Sequence, residues 1–395
     1  VYEHSPWVRV DDRVTMLTPA VEAFALSPGG RYLAWVEDPP KAVVHVTELA
    51  SLRTVYSLQH AGAFALLWQG EEVLRVFDAV GRRVTATRHA VPDGGTLGVA
   101  TMPRESMKVD VHSSCDGRVS MVTSSFNVGW RRPLWLVGVG GDDAVAPVPL
   151  DDVPQGLPSH LPLAGVDCAL SPDGHRLVLV VQRSLQGSTV RFMSVEGQCL
   201  SEASCPMANG TPLGWLSPTE VLFQGVPHDD RAALVRVALD GTCTALATFP
   251  STEGFEWVGL HPERDRVLLR RLHPMKNGYE RTVAVCLVPT TGAVALLTLS
   301  HGRLPSYVGL DGGVCWTTTG EFLTLTQSPP GVAHLTRREV PGAPGRRLAT
   351  FGLPGERPHG LALTASSEGT RFVATWHTFD RGPLDAVRRL ALLDV

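Results

Sequence analysis

The stretch Ala169-Leu170-Ser171-Pro172-Asp173-Gly174-His175-Arg176-Leu177-Val178-Leu179-Val180-Val181 constrains this chain more than any other. It reads as strand, tight turn, strand. Proline presets φ at the second turn position and glycine accepts a positive φ. The aliphatic run after the turn is longer than one polar face would allow, so the second strand is expected to be covered on both sides. The phrase returns as Leu26-Ser27-Pro28-Gly29-Gly30 before Tyr32–Val36, and more loosely at Leu216-Ser217-Pro218, Leu260-His261-Pro262 and Ala365-Ser366-Ser367-Glu368-Gly369. Pro28 and Pro172 stand 144 positions apart, three units of 48, and the next two intervals are 46 and 44. A period in the forties with four short strands per unit predicts a β-propeller.

Taken in order, the chain divides into units at about 21–60, 61–104, 105–150, 163–205, 210–250, 252–300, 303–352 and 355–395. Cys115-Asp116-Gly117 stands in for the repeat turn in the third. In the seventh, Val308–Gly313 resembles the turn and is followed by Val314–Thr318, yet three more strand-like segments follow, one too many. The eighth offers only three strands, Leu361–Thr364, Arg371–Thr378 and Ala386–Leu393. Its fourth is expected from the N-terminus, near Val14 in residues 1–20, which closes the propeller and leaves no sheet edge open. The expectation is one all-β domain over 1–395 with eight four-stranded blades, or seven if a late unit is misread.

At 395 residues, length alone would suggest two or three domains, but the repeat overrides it. Hydrophobic content of 44% against 19% charged suits a packed globular chain. A net charge of −4 and scattered arginine pairs argue against nucleic acid as a partner. No apolar run is long enough for a membrane-spanning helix. Seven cysteines, an odd count with no Cys-x-x-Cys, read as reduced residues, with Cys168, Cys286 and Cys315 inside apolar strands. The first residues carry no leader pattern. A valine in first place fits a GTG start codon translated literally, so a bacterial, cytoplasmic chain is expected, or a periplasmic one if a leader was removed.

The Leu-Ser-Pro-Asp-Gly-x-x-Leu phrase resembles the TolB-like, WD40-like propeller repeat, and is similar to blades of the non-catalytic domain in prolyl-oligopeptidase-type enzymes. The resemblance implies fold and no task. It carries over no functional residue, because the matched positions are turn residues.

Motifs for chemistry are missing: there is no Gly-x-Ser-x-Gly, no phosphate-binding glycine loop and no His-Glu-x-x-His. No cofactor, metal or catalytic residue is expected. Two sets of residues remain. Connections between the second and third strands carry Trp130, Arg131 and Arg132, then His228 and Asp229, then His273, Met275 and Tyr279, and lastly His377 and Phe379. Aromatic and arginine residues on loops suit a protein-binding face. Glu22, Asp110, Asp167 and Glu256 lie five or six positions before the turn of their units, so a channel-mouth group of carboxylates is expected; paired with His273 or His377 it would make an enzyme of lyase or hydrolase type. The first set favours a non-enzymatic interaction module or scaffold subunit in a larger assembly, the second is the alternative, and a periplasmic TolB-like accessory is a third reading. The tryptophans Trp35, Trp68, Trp215, Trp257 and Trp376 read as core between blades.

Overall fold

A computed structural model describes residues 7–9, 14–37, 43–104, 108–125, 134–148, 166–184, 187–205, 208–226, 232–249, 255–274, 280–302, 313–317, 319–327, 331–339, 343–353, 359–366, 371–378 and 387–394. Among these residues the regular structure is all β, in eight antiparallel sheets. Seven sheets have four strands in sequence order, and the eighth has five. The fold is an eight-bladed β-propeller. Blades one to seven span 21–59, 63–103, 108–147, 166–205, 208–249, 255–302 and 313–352. Blade eight joins three strands of 359–394 to the strand Val14–Leu17, which pairs with the last strand as Val14↔Leu393 through Leu17↔Leu390. The expected exchange of a strand between the two chain ends is therefore present. A further strand, Trp7–Arg9, lies outside Val14–Leu17 as a fifth member that the sequence reading did not foresee.

Blade seven corrects the sequence reading. Its strands are Gly313–Trp316, Phe322–Gln327, Val332–Arg338 and Arg346–Gly352. The segment Val314–Thr318, read as following the turn, is thus mostly the first strand. The turn itself is built on Thr317 and Gly320, where the Thr317 N–H donates to the Glu321 carbonyl at 2.9 Å. The surplus strand disappears with that shift. Residues 303–312, including most of the proposed turn, lie outside the described residues.

The second strand of each blade carries the burial that the sequence predicted. Tyr32–Val36, Leu177–Val180, Phe322–Leu325 and Phe372–Trp376 are buried at every position. β-branched and aromatic residues fill both sides of such a strand, as burial on both faces requires. Fourth strands are largely open: Arg53–Gln59 has no buried residue.

The chain forms two compact units, one of 1–66, 92–94 and 255–395, the other of 67–91 and 95–254. In the first, one core cluster runs between blades seven and eight through Leu325, Leu335, Phe372 and Trp376, and another between blades eight and one through Leu33, Trp35 and Leu392. In the second, Val178, Phe192, Trp215 and Phe223 join blades four and five. Trp35, Trp68, Trp215 and Trp376 are buried as expected, while Trp257 is half-buried. All seven cysteines are free thiols; Cys286 is buried, and burial pushes the Cys315 thiol up to about 12.

The repeated turn does two jobs. Within blade four the Ser171 hydroxyl donates to Asp173 at 2.6 Å and accepts the Arg176 N–H at 2.9 Å, and Asp173 also accepts the His175 N–H. Ser114 and Asp116 repeat the arrangement in blade three, with Gly117 at φ +70° where Gly174 has +73°. The same turns then latch onto their neighbours. The Cys115 N–H of blade three donates to the Pro172 carbonyl of blade four at 2.8 Å. Arg371 of blade eight donates to the Gly30 carbonyl of blade one at 2.9 Å, and Gly30 packs so close to Ser366 that a Cβ there would lie 2.7 Å from the serine Cβ.

Candidate functional site

The connection between the second and third strands leaves each blade at the end opposite the latched turn. Most residues singled out on these connections lie outside the described residues: Trp130, Arg131, Arg132, His228, Asp229, Met275, Tyr279 and Phe379. His273 is described in its backbone, near the end of the strand Val267–Pro274, opposite Arg281. His377 is described fully. It sits half-buried near the end of Arg371–Thr378, just before the connection 379–386.

His377 does not stand alone. Arg388, directly across the sheet, holds its Nε–H 3.5 Å from His377 Nε2 and donates through its other arm to the Glu22 carbonyl at 2.8 Å. An imidazole nitrogen facing a guanidinium N–H is an acceptor, so the His377 proton belongs on Nδ1 in this arrangement. Arg388 thereby ties the first strand of blade one to blade eight. Glu22 and His377, picked separately from the sequence, are neighbours of the same arginine, which the sequence reading missed. Beside it, Arg389 donates to the Thr18 carbonyl at 3.3 Å, and burial lowers its pKa.

The four inner-strand carboxylates each occupy the first strand of a blade, toward the end away from the turn. Glu22 is exposed and Asp110 half-buried. Asp110 stands opposite Thr123, Asp167 opposite Val180 and Glu256 opposite Arg270. The side chains of Asp167 and Glu256 lie outside the described residues.

A second charged group lies elsewhere in the fold, unforeseen from the sequence. Arg88 of blade two grips Asp143 of blade three through two hydrogen bonds, 2.8 and 2.7 Å, and reaches Asp142 at 2.9 Å. Arg75, 1% exposed, donates to the Arg118 and Asp142 carbonyls and to the Ser120 hydroxyl at 3.0–3.1 Å. The Arg88 contact holds the Asp143 carboxyl below its ordinary pKa. Every one of these partners is another part of the scaffold, so the group fastens two blades together.

No protein-family model matches the chain, and no curated protein matches it. Solved structures do. A Dos1 propeller aligns over 98% of this chain and 94% of its own at 9% identity, with a TM-score of 0.57. The C-terminal WD40 domain of Sif2 covers 98% of both chains at 11% identity and 0.56. Sqt1 from Chaetomium thermophilum covers 95% of this chain and 97% of that one at 13% identity and 0.53. Among the described residues no helix is long and apolar enough to cross a membrane. At these identities the likeness concerns the fold alone: the chain is similar to WD40-type β-propellers in architecture.

Proposed function

We propose that this chain is a non-enzymatic interaction module, a scaffold subunit whose protein partner docks on the connections between second and third strands. The observation that carries the reading is a contrast between the two ends of the blades. At one end, six of the eight turns between first and second strands are five or six residues long, and they are built on one capping plan. At the other end, the connections between second and third strands run from two residues (81–82 and 185–186) to eight (126–133 and 379–386). Their composition varies as widely, from Trp130-Arg131-Arg132 to Phe379-Asp380-Arg381. One end is thus uniform in six of its eight turns, and the other varies, which is where recognition residues gather on a rigid frame.

The proposed setting is a cytoplasmic assembly. The narrower TolB-like reading rests only on the resemblance of the Ser-Pro-Asp-Gly turn. Crosslinking of the native complex followed by mass spectrometry tests the docking proposal. Crosslinks are expected on 126–133, 227–231, 275–279 and 379–386. The triple variant W130A/R131A/R132A is expected to weaken partner binding at least tenfold without lowering the melting temperature. A protein that stays solitary throughout, or crosslinks confined to the latched turns, would overturn the reading.

A further inference from the structure

The turn of blade six departs from its siblings in a way that leaves donor atoms facing one another. It closes like the others: the His261 N–H donates to the Arg266 carbonyl at 2.9 Å, as Ser171 does to Arg176 at 2.8 Å. His261 therefore stands where Ser27, Ser114, Ser171 and Ser366 stand in other blades. Glu263 takes the place of Asp173, Arg264 holds φ +59° where Gly174 holds +73°, and Asp265 adds a second carboxylate.

We propose that this turn binds a divalent cation of the zinc type through His261 Nδ1, Glu263 and Asp265. The ligand atoms of the three side chains all lie within 4.8 Å of one another. The His261 ring is buried, 7% exposed, with Trp316 packed edge-on at 4.9 Å. Its Nε2 lies 3.3 Å from the Gly320 carbonyl, an oxygen that can only accept, so Nε2 carries a proton and Nδ1 is left with its lone pair toward the turn. A backbone carbonyl on the far ring nitrogen is the usual support of a metal-binding histidine. Gly320 is what permits this approach, since a Cβ there would fall 2.3 Å from Nε2.

Asp265 is prepared in the same manner. Arg266 Nε donates to its Oδ2 at 2.9 Å, while the buried Oδ1 has no hydrogen-bond partner and sits 2.8 Å from His261 Nδ1. Two acceptors this close repel unless a cation lies between them. Two ligands of a tetrahedral zinc with bonds of ~2.0–2.1 Å sit about 3.3 Å apart, so a small shift opens the gap. The Glu263 N–H reaches Nδ1 at 3.3 Å, a long contact that a metal would displace. One imidazole nitrogen with two carboxylate oxygens selects zinc or cobalt over magnesium and calcium, which want oxygen alone. A proton on Nδ1 would satisfy Asp265 too and leave the exposed Glu263 carboxylate to water, so added metal decides between the two cations.

The test is a titration of the chelator-stripped full chain with Zn²⁺ by calorimetry, and with Co²⁺ by visible absorption. H261S restores the residue used in four sibling turns, so it is expected to keep the turn. The expected result is that wild type binds one more equivalent of Zn²⁺ than H261S, and that D265N and E263Q each weaken this site at least tenfold. Cobalt bands of a tetrahedral site are expected in wild type and lost in H261S. Equal zinc stoichiometry in wild type and H261S would overturn the proposal. So would a thermal midpoint that follows pH through His261 yet ignores added metal, because a proton would then be the cation. Should H261S fail to fold, D265N and E263Q decide by the same comparison.

Discussion

Replacing Asp143 by alanine removes both oxygens that Arg88 grips and tests how blades two and three are held together. The wild-type pair makes two charge-assisted hydrogen bonds, at 2.8 and 2.7 Å, with the Arg88 side chain 11% exposed and Asp143 30% exposed. Such bonds contribute about 1.5–3 kcal/mol each when buried. Partial exposure screens the pair, and Asp142 still holds one arm of Arg88 at 2.9 Å, so we expect a loss of about 2–3 kcal/mol. Gly98 supplies the internal check. A Cβ at 98 would lie 1.9 Å from Asp143 Oδ2, so G98A must push the carboxylate away from Arg88. Alone, G98A should cost about 1–3 kcal/mol by overpacking. In the D143A background the obstacle is gone, and most of that cost should vanish. Urea unfolding followed by circular dichroism measures all four proteins of the cycle. Losses that simply add, or a D143A cost below about 0.5 kcal/mol, would refute the account of the ion pair as a blade fastener.

Two further outcomes follow from the latched turns. Gly30 combines φ +72° with contact against Ser366, whereas Gly70 has φ +65° and open space, so G30A should cost at least about 2 kcal/mol and G70A about 1 kcal/mol, the difference measuring packing alone; equal costs in chemical denaturation would deny Gly30 its latch role. Burial pushes Asp116 and Asp173 up, but hydrogen bonds from Ser114 and Ser171 and from the Arg118 and His175 N–H groups outweigh it and hold both carboxyls below their ordinary pKa. Their contribution is thus fully present above the unfolded value of about 3.9 and is lost as pH falls through the lower folded values. D116N/D173N should flatten the fall of the urea midpoint between about pH 4 and pH 2, and an unchanged acid limb would count against the capping role.

The sites were less legible than the fold, for reasons visible in particular residues. Glu22 and His377 were found separately, but Arg388, which joins them, was not, because residue 388 lies 366 positions from residue 22. His261 looked like a poor copy of the serine turn. Only its Nε2 against the Gly320 carbonyl, 59 positions away, gave the ring an orientation and so a chemistry. In the same way, Arg88 carried no local signal of its partners Asp142 and Asp143.

What the amino-acid order determined alone was most of what depends on near neighbours. Turn residues with set φ and aliphatic runs long enough for a doubly covered strand repeat along the chain. From them came the period, a count of eight blades with seven left open, and the strand borrowed from the N-terminus. Blade seven escaped because its turn uses Thr317 and Gly320 in place of serine, proline and aspartate, so the local chemistry was present under other letters. Tertiary structure alone decided which polar groups meet across blades. Those pairings depend on how neighbouring sheets face each other, and hydrogen bonds act over about 3 Å in space without regard to distance along the chain.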